Sequence, residues 1–423
     1  MKVLFTCFAH NTHYYPMVPL AWALRTAGHE VRVASQPDLV PTITQTGLTA
    51  VPVGPTDWSS NDPWAPDLLE MVHEEGTEHV KGFDFTGRDR AQWTWEHLLG
   101  VENVMVSALL ATMNNFPMID DLVDFAQGWQ PDLVVWETFT FAGAVAAKVT
   151  GAAHARLIWG PDIALRARQE FLRQGALQAP EHREDPTGEW LETVLQRYDR
   201  HFDEELLTGQ WTIDTTPRST RLDLGLRTTG VRYVPYNGPS TVPDWLRTPP
   251  DRPRICLTLG LTAREMGHTI VSLSEVLDAM ADLDVEVVAT LDASQRAQVP
   301  NVPDNTRVVD FVPMNDLLPT CAAIVHQGGC GTRSTAQLHG VPQIILAYGW
   351  DTMVTAERIA ALGAGFGVPA AELTAAALRA KVELLLTDPS FTLAARRLRQ
   401  ETLAEPSPND FVPLLEKLTV EHR

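Results

Sequence analysis

The sequence is poor in cysteine and in positive charge, and each shortage excludes a class of protein. The four cysteines lack CxxC spacing, which argues against a zinc site or a disulfide framework and predicts reduced thiols. The net charge of -20 would repel nucleic acid and anionic membranes. No apolar run approaches the roughly 18 residues of a membrane span, and the N-terminal run is too short for a signal peptide. We expect a cytoplasmic protein that binds neither nucleic acid nor membrane.

The length and the hydrophobic content indicate two packed domains. A chain of 423 residues exceeds the usual size of one hydrophobic core, and 44% hydrophobic residues are ample for two. Apolar runs alternate with amphipathic runs, as is typical of βα repeats. In the first half the predicted strands and helices are Val3–Phe8, Pro16–Ala27 (helix), Val31–Ala34, Asp38–Thr46 (helix), Ala50–Val53, Asp132–Trp136, Phe141–Val149 (helix) and Ala155–Ile158. Residues 57 to about 115 lack this rhythm and are predicted to be an insertion of helices and loops.

A second alternation follows a proline-rich stretch at residues 235–253, the predicted linker, because prolines block regular structure and stiffen a connection. The strands predicted beyond it are Ile255–Leu259, Val285–Thr290, Arg307–Val309, Ala322–Val325 and Gln343–Leu346. The expected fold is α/β, with two doubly wound, Rossmann-like domains facing a ligand cleft. We place these domains at residues 1–234 and 254–405, with a C-terminal helix at 406–423 that returns to the first domain.

A glycine-rich stretch between a strand and a helix is a candidate binding site. It reads His326-Gln-Gly-Gly-Cys-Gly-Thr332 and opens a predicted helix that ends at Gly340. Backbone amides at a helix N-terminus favour an anion, and glycine lets the main chain approach it closely. His326 adds a side-chain donor whose positive charge would suit a diphosphate. The alternative is a tight turn without a ligand, since the loop matches neither GxGxxG nor GxxxxGK[ST].

Longer stretches resemble a known enzyme family. Phe311-Val-Pro-Met314, the glycine-rich loop and Gly349-Trp-Asp-Thr352 together resemble the donor-binding signature of inverting glycosyltransferases that use nucleotide sugars. Over nearly the whole chain the sequence is similar to bacterial enzymes that attach deoxysugars to macrolide and other polyketide aglycones, close to desosaminyl- and mycaminosyltransferases. The stretches that carry this resemblance are Trp95-Glu-His-Leu-Leu-Gly100, Ala153-His-Ala-Arg156, Trp159-Gly-Pro-Asp162, Gly209-Gln-Trp-Thr-Ile-Asp214 and Arg232-Tyr-Val-Pro-Tyr-Asn-Gly-Pro239. The resemblance implies the two-domain fold called GT-B.

The candidate catalytic base follows the first predicted strand. His13 stands at the family position where a histidine deprotonates the acceptor hydroxyl, and neutral imidazole can take a proton near neutral pH. His13 could instead be a polar loop residue or a helix cap, and His10 competes with it. Glu137 ends a predicted strand at a suitable topological position to orient that imidazole. Capping the next helix, holding an amino group of the donor and facing solvent are the alternatives for Glu137.

The expected donor-binding residues cluster in the second half of the chain. The resemblance implies that Asp351 contacts sugar substituents, followed by Thr352 where the family often has Gln, and that the main chain of Phe311-Val312-Pro313 reads the base. Gly260 and Thr262 follow a predicted strand and are expected to face the phosphates, although any doubly wound fold has such turns. The glycine-rich loop completes the set with His326, Gly328, Gly329, Gly331 and Thr332. We find no metal cluster beside these residues and no DxD pair in a plausible cleft loop, so we expect metal-independent transfer without a cofactor.

Tryptophans of the insertion are candidates for binding an apolar acceptor. Trp64 and Trp95, with Trp58 and Trp93, could wall a polyketide ring system, or they could be core or partner-facing residues. The resemblance also implies a partner, an auxiliary activator protein related to haem monooxygenases. Amphipathic stretches at 95–110 and 190–202 could dock such a partner or pack on their own domain.

Together these features predict an inverting transferase that moves a 6-deoxysugar, an amino sugar, from a dTDP-sugar to a hydroxyl of a polyketide aglycone. A nucleotide-sugar epimerase of the same fold and a noncatalytic sugar-nucleotide-binding protein are the alternatives. A dinucleotide oxidoreductase is disfavoured because the turn after the first strand, Phe8-Ala-His-Asn-Thr-His-Tyr-Tyr15, contains no glycine.

Overall fold

A computed structural model of the protein describes residues 1–56, 93–236, 238–260, 271–349 and 351–423. These residues form two compact units. The first unit contains residues 1–215, 222–231 and 406–423, and the second contains residues 216–221 and 232–405. Of the residues singled out above, Trp58, Trp64 and Thr262 lie outside the described ranges.

The described part of the first unit is built on a parallel sheet of seven strands in the order β3-β2-β1-β4-β5-β6-β7. Its strands are β1 Lys2–Thr6, β2 Glu30–Ser35, β3 Thr49–Pro52, β4 Leu133–Glu137, β5 Ala153–Ile158, β6 Trp211–Asp214 and β7 Thr228–Gly230. The strand β1 pairs with β2 on one side and with β4 on the other. The chain therefore changes winding direction between β1 and β4, and ligands of open α/β sheets bind at such a switch point.

Helices flank this sheet. They are α1 Asn11–Tyr14, α2 Val18–Thr26, α3 Val40–Gln45, α4 Trp95–Val104, α5 Ala111–Met113, α6 Phe116–Trp129, α7 Phe141–Thr150, α8 Ile163–Gly175, α9 Pro186–Gln196 and α10 Glu205–Thr208. The helix α7 is rich in alanine and its residues 141–147 are all buried, because small side chains allow close packing on the sheet. Its Ala142, Val145 and Ala146 share a core with Leu4, Val134 and Trp136 of the strands.

The second unit repeats this design with a parallel sheet in the order β10-β9-β8-β11-β12-β13. Its strands are β8 Arg254–Thr258, β9 Glu286–Thr290, β10 Thr306–Val309, β11 Cys321–His326, β12 Gln343–Ala347 and β13 Gly365–Pro369. Its helices are α11 Leu273–Asp278, α12 Ala293–Ala297, α13 Met314–Leu317, α14 Cys330–His339, α15 Asp351–Ala361, α16 Ala375–Thr387 and α17 Pro389–Ala404. The switch point of this sheet lies between β8 and β11.

Two segments depart from the predicted domain boundaries. Residues 216–221 belong to the second unit, where the backbone amide and hydroxyl of Ser219 donate to Glu401 over 2.6 Å each. In the stretch predicted to be a linker, Leu246 is buried in the core of the second unit with Cys256. The last helix, α18 Pro408–His422, belongs to the first unit. Boundaries of this kind follow from packing of distant residues, which proline content does not report.

No helix in the described ranges is both long enough and apolar enough to cross a membrane.

Candidate active site

His13 lies just beyond the carboxyl end of β1, on the short helix α1. The side chain of His10 caps this helix by accepting from the Thr12 amide over 3.3 Å, so His10, the competing histidine, serves the local backbone. The His13 side chain is 21% exposed, and its ring lies against those of Phe8 and Trp159, at centroid distances of 4.4 and 5.3 Å. His13 is thus held among aromatic rings without being sealed from solvent.

Glu137 ends β4, the strand next to β1, and its side chain is completely buried. Its Oε2 lies 3.0 Å from Nδ1 of His13 and accepts from the Phe139 amide over 3.1 Å. Its Oε1 accepts from the Thr140 hydroxyl, which in turn accepts from the Phe8 amide over 2.8 Å. The carboxylate is therefore fixed from both strands, and its protein partners offset the cost of its burial.

This arrangement selects one form of the imidazole. A carboxylate oxygen can only accept a hydrogen bond, so Nδ1 of His13 donates to Glu137 and carries the proton. In the neutral ring Nε2 then has the free electron pair and can act as a base. Glu137 thus lies in contact with His13, as expected for a residue that orients the imidazole, and both residues belong to the first unit.

The glycine-rich loop joins β11 to α14 in the second unit, and here His326 departs from expectation. The His326 ring is fully buried, its Nδ1 accepts from the Gly328 amide over 3.1 Å, and its Nε2 lies 3.0 Å from Oε1 of Gln343. Burial, with a smaller contribution from the charge of nearby Arg333, lowers the pKa of His326 to about 4. The ring is neutral and both nitrogens are engaged within the domain, so the expected cationic contact to a diphosphate is wrong. His326 shapes the loop instead.

The backbone of the same loop keeps an anion-binding geometry. Gly328 has a φ of +96° and Gly329 caps α14 with no side-chain hydrogen bond to the helix. Gly331 in the first turn is exposed and Thr332 is partly exposed. The phenol of Tyr233 donates to the Gly331 carbonyl over 3.3 Å. Amides of this first turn thus stand at the positive end of a ten-residue helix.

Asp351 and Thr352 begin α15, next to the glycine-rich loop. The thiol of Cys330 donates to Oδ2 of Asp351 over 3.3 Å. Burial, with a further contribution from the Asp351 charge, raises the pKa of the Cys330 thiol to about 12, so the thiol stays protonated and remains a donor. The Thr352 hydroxyl is buried and accepts from the amides of Tyr348 and Gly349, over 3.3 Å each. Through its hydroxyl Thr352 therefore holds its own loop, at the position where the family often has Gln.

Two further expected donor residues stand at strand ends. Gly260 follows β8 with a φ of +77°, and the side chain of Gln327 lies over it. The side chain of Val312 is buried in the core with Leu317 and Ile324, so only its main chain is available to a nucleotide base. Two further residues of the glycine-rich loop, Gln327 and Cys330, were not among the predicted site residues.

Trp95 is a core residue, so its expected place in an acceptor wall is wrong. The indole is 9% exposed and stacks on Phe171 at a centroid distance of 4.9 Å and an interplanar angle of 12°. A side chain at Gly175 would collide with it, at 2.9 Å. Trp93 is buried as well. The helices α4 and α9 likewise turn their apolar residues inward, with Leu98, Val101, Leu191, Val194 and Leu195 buried.

In the described ranges no three His, Cys, Asp or Glu side chains are grouped so that they could hold a metal ion.

Comparisons with known proteins identify the family and the fold of the chain. The family described as erythromycin biosynthesis protein CIII-like matches residues 22–260 with its N-terminal domain and residues 274–418 with its C-terminal domain. The chain is 56% identical to 10-deoxymethynolide desosaminyltransferase of Streptomyces venezuelae, covering 100% of this chain and 98% of that protein. It is 50% identical to 3-alpha-mycarosylerythronolide B desosaminyl transferase of Saccharopolyspora erythraea, covering 100% and 99%. The crystal structure of the glycosyltransferase VinC in complex with dTDP is similar over the full length of both chains, with a TM-score of 0.87 and 41% identity.

Two doubly wound domains with this similarity define a glycosyltransferase of the GT-B type. The chain belongs to the erythromycin biosynthesis protein CIII-like family.

Proposed function

We propose that this enzyme transfers a 6-deoxysugar, an amino sugar, from a dTDP-sugar to a hydroxyl group of a macrolide or related polyketide aglycone, with inversion at the anomeric carbon. The observation that carries the proposal is the hydrogen bond between His13 and Glu137 at the switch point of the first sheet. The names of the similar desosaminyl transferases support the amino sugar and the macrolide acceptor. The dTDP bound to VinC supports the nucleotide.

In the proposed reaction His13 is the general base. Its Nε2 takes the proton of the acceptor hydroxyl while that oxygen attacks the anomeric carbon of the donor. A new carbon–oxygen bond forms as the bond from the anomeric carbon to the diphosphate oxygen breaks, so dTDP leaves with the bonding electron pair. Glu137 keeps the proton on Nδ1 and stabilises the imidazolium that forms. A single displacement of this kind inverts the configuration.

The leaving diphosphate is stabilised by the first turn of α14. Gly328, Gly329, Gly331 and Thr332 contribute backbone amides and room for close approach, with Gly260 on the neighbouring strand end. This stabilisation uses neither a metal ion nor the His326 side chain. Asp351, oriented by Cys330, contacts substituents of the sugar, and the main chain at Val312 reads the thymine base.

Full activity depends on an auxiliary activator protein related to haem monooxygenases. This part of the proposal rests on the family resemblance alone, because the helices expected to expose a docking face turn their apolar residues into their own domain. The activator acts by increasing the population of the competent enzyme, without adding a catalytic group.

The experiment that tests the proposal combines purified enzyme with a panel of dTDP-sugars and macrolactones, with and without the activator, and analyses the products by mass spectrometry. A glycosylated macrolactone and free dTDP are expected, with a large gain when the activator is present. Conversion of the dTDP-sugar in the absence of any acceptor would identify an epimerase. Donor binding without turnover in any combination would identify a noncatalytic binding protein.

A further inference from the structure

Gln327 in the glycine-rich loop carries a buried polar atom that the fold leaves unsatisfied. Its side chain is 6% exposed, and its Oε1 has no hydrogen-bond partner within the described part of the chain. Buried acceptors are nearly always hydrogen-bonded in native proteins, so each exception calls for a physical reason. The adjacent His326 is fully satisfied, since both of its ring nitrogens have partners.

The Gln327 side chain lies next to two of the glycines proposed to bind the donor. A Cβ atom added to Gly260 would lie 1.8 Å from Nε2 of Gln327, and one added to Gly329 would lie 2.8 Å from the same atom. Gly260 follows β8, Gln327 follows β11 directly, and Gly329 is the N-cap of α14. The amide of Gln327 therefore lies at the switch point of the second sheet, against the positive end of a helix.

The chemistry of the unsatisfied atom indicates what it would bind. A carbonyl oxygen accepts hydrogen bonds, so it would repel a phosphate and attract a hydroxyl or an ammonium group. A nucleotide sugar presents both kinds of group in sequence, because its diphosphate is anionic and the adjoining sugar ring carries hydrogen-bond donors. The amides of α14 suit the first part, and Oε1 of Gln327 suits the second.

We propose that Gln327 determines donor specificity, with its Oε1 accepting a hydrogen bond from a hydroxyl or ammonium substituent of the sugar in the nucleotide-sugar donor. The inference rests on the proposed function, because it needs a nucleotide sugar at the glycine-rich loop. It adds a contact to the sugar that is separate from Asp351 and from the diphosphate. Without the sugar the acceptor stays unpaired, which costs the free protein stability.

The stability cost of the unpaired oxygen allows a ligand-binding role of Gln327 to be distinguished from a merely structural one. If Gln327 only filled the space above Gly260 and Gly329, replacing it would lower both stability and affinity. If its carbonyl oxygen is kept for a ligand, the unbranched apolar variant Gln327→Met removes an unsatisfied group and stabilises the free enzyme. We expect its thermal unfolding midpoint to rise by about 2–4 °C. Donor affinity should change in the opposite direction.

The binding measurement uses isothermal calorimetry on the full-length enzyme with two probes, dTDP and dTDP-desosamine. For Gln327→Met we expect the Kd of dTDP-desosamine to rise about 3- to 30-fold, the range for one lost hydrogen bond, while the Kd of dTDP stays within about twofold of wild type. An equal loss for both probes would assign Gln327 to the diphosphate and overturn the proposal. Unchanged affinity for both probes, or a lowered unfolding midpoint, would overturn it as well.

The chain offers a matched control in Gln337, which lies on α14, the helix that follows the glycine-rich loop. Its side chain is 2% exposed, and both of its amide atoms lack hydrogen-bond partners within the described ranges. It stands seven residues after Cys330, about 10 Å along the helix axis. Gln337→Met should therefore raise the unfolding midpoint without changing either Kd. If wild-type enzyme bound neither probe, the proposed function itself would fail, which is a distinct outcome.

Discussion

The Nδ1 atom of His13 lies 3.0 Å from Oε2 of Glu137, although 124 residues separate the two along the chain. They meet because β1 and β4 are neighbours in a parallel sheet, with Thr6 paired to Trp136 one residue before Glu137. The carboxyl ends of both strands therefore open at the same edge, where α1 presents the imidazole. The topology of the first sheet thus assembles a base and the group that orients it.

Replacing His13 tests the base directly. His13→Ala should lower kcat by roughly two to four orders of magnitude, the range expected for a general base, and leave the Kd of dTDP nearly unchanged. The matched control is His10→Asn, which removes a nearby imidazole and keeps a side chain suited to capping α1. The control should retain most of the activity. A fully active His13→Ala enzyme would exclude the assignment.

Glu137→Gln tests how the carboxylate acts. The amide nitrogen of Gln can donate to Nδ1 of His13, which would move the ring proton to Nε2 and remove the free electron pair needed by a base. We expect kcat to fall roughly 100- to 1000-fold. The double variant with His13→Ala should be no slower than His13→Ala alone, because the two residues act as a unit. Multiplicative losses in steady-state rates would show that Glu137 acts independently of His13.

The buried neutral His326 should make stability depend on pH. Its pKa is lowered from 6.5 to about 4 in the folded protein, first by burial, so between these values the unfolded chain binds more protons. Stability is therefore fully present above pH 6.5 and falls as the pH drops toward 4, by up to about 3 kcal/mol.

His326→Asn tests this dependence, because its carbonyl can still accept from the Gly328 amide but cannot titrate. Urea unfolding of both proteins from pH 4 to 7 should give a flatter profile for the variant. Parallel profiles would mean that folding leaves the pKa of His326 unchanged.

Trp95→Ala should affect stability and spare acceptor binding. The indole stacks on Phe171 in the interior of the first unit, so its loss should lower the free energy of unfolding by about 3–5 kcal/mol. Trp95→Phe should recover much of this loss. At temperatures where the variants are folded, the KM for the aglycone should match that of wild type. A selective rise in the KM for the aglycone would show that Trp95 contacts the acceptor.

Local patterns in the sequence predicted much of the fold. The predicted strands are present with small shifts at their ends, and the helix after the glycine-rich loop ends at Gly340, whose φ is +67°. The strands β6, β7 and β13 were missed. The strand β13 contains Gly365, Gly367 and Pro369, residue types with low strand propensity, and it forms only because β12 supplies a partner.

Site residues were predictable only as far as their chemistry is local. His13 and the glycine-rich loop follow strands, and that placement can be read from hydrophobic periodicity. The partners of these residues cannot be read in this way. The sequence predicted that His326 is a cation that contacts a diphosphate. It does not show that the ring is buried and bonded to Gln343 on the adjacent strand.

The sequence by itself determined the α/β class, the order of most strands and the family resemblance, because these depend on residue patterns that act over short distances along the chain. Only the tertiary structure decided that Glu137 holds His13, that His326 is neutral, that Trp95 belongs to the core and that Gln327 has an unsatisfied oxygen. Each of these depends on burial and on hydrogen bonds between residues distant in sequence. Strand order and packing set both properties, and local periodicity does not encode them.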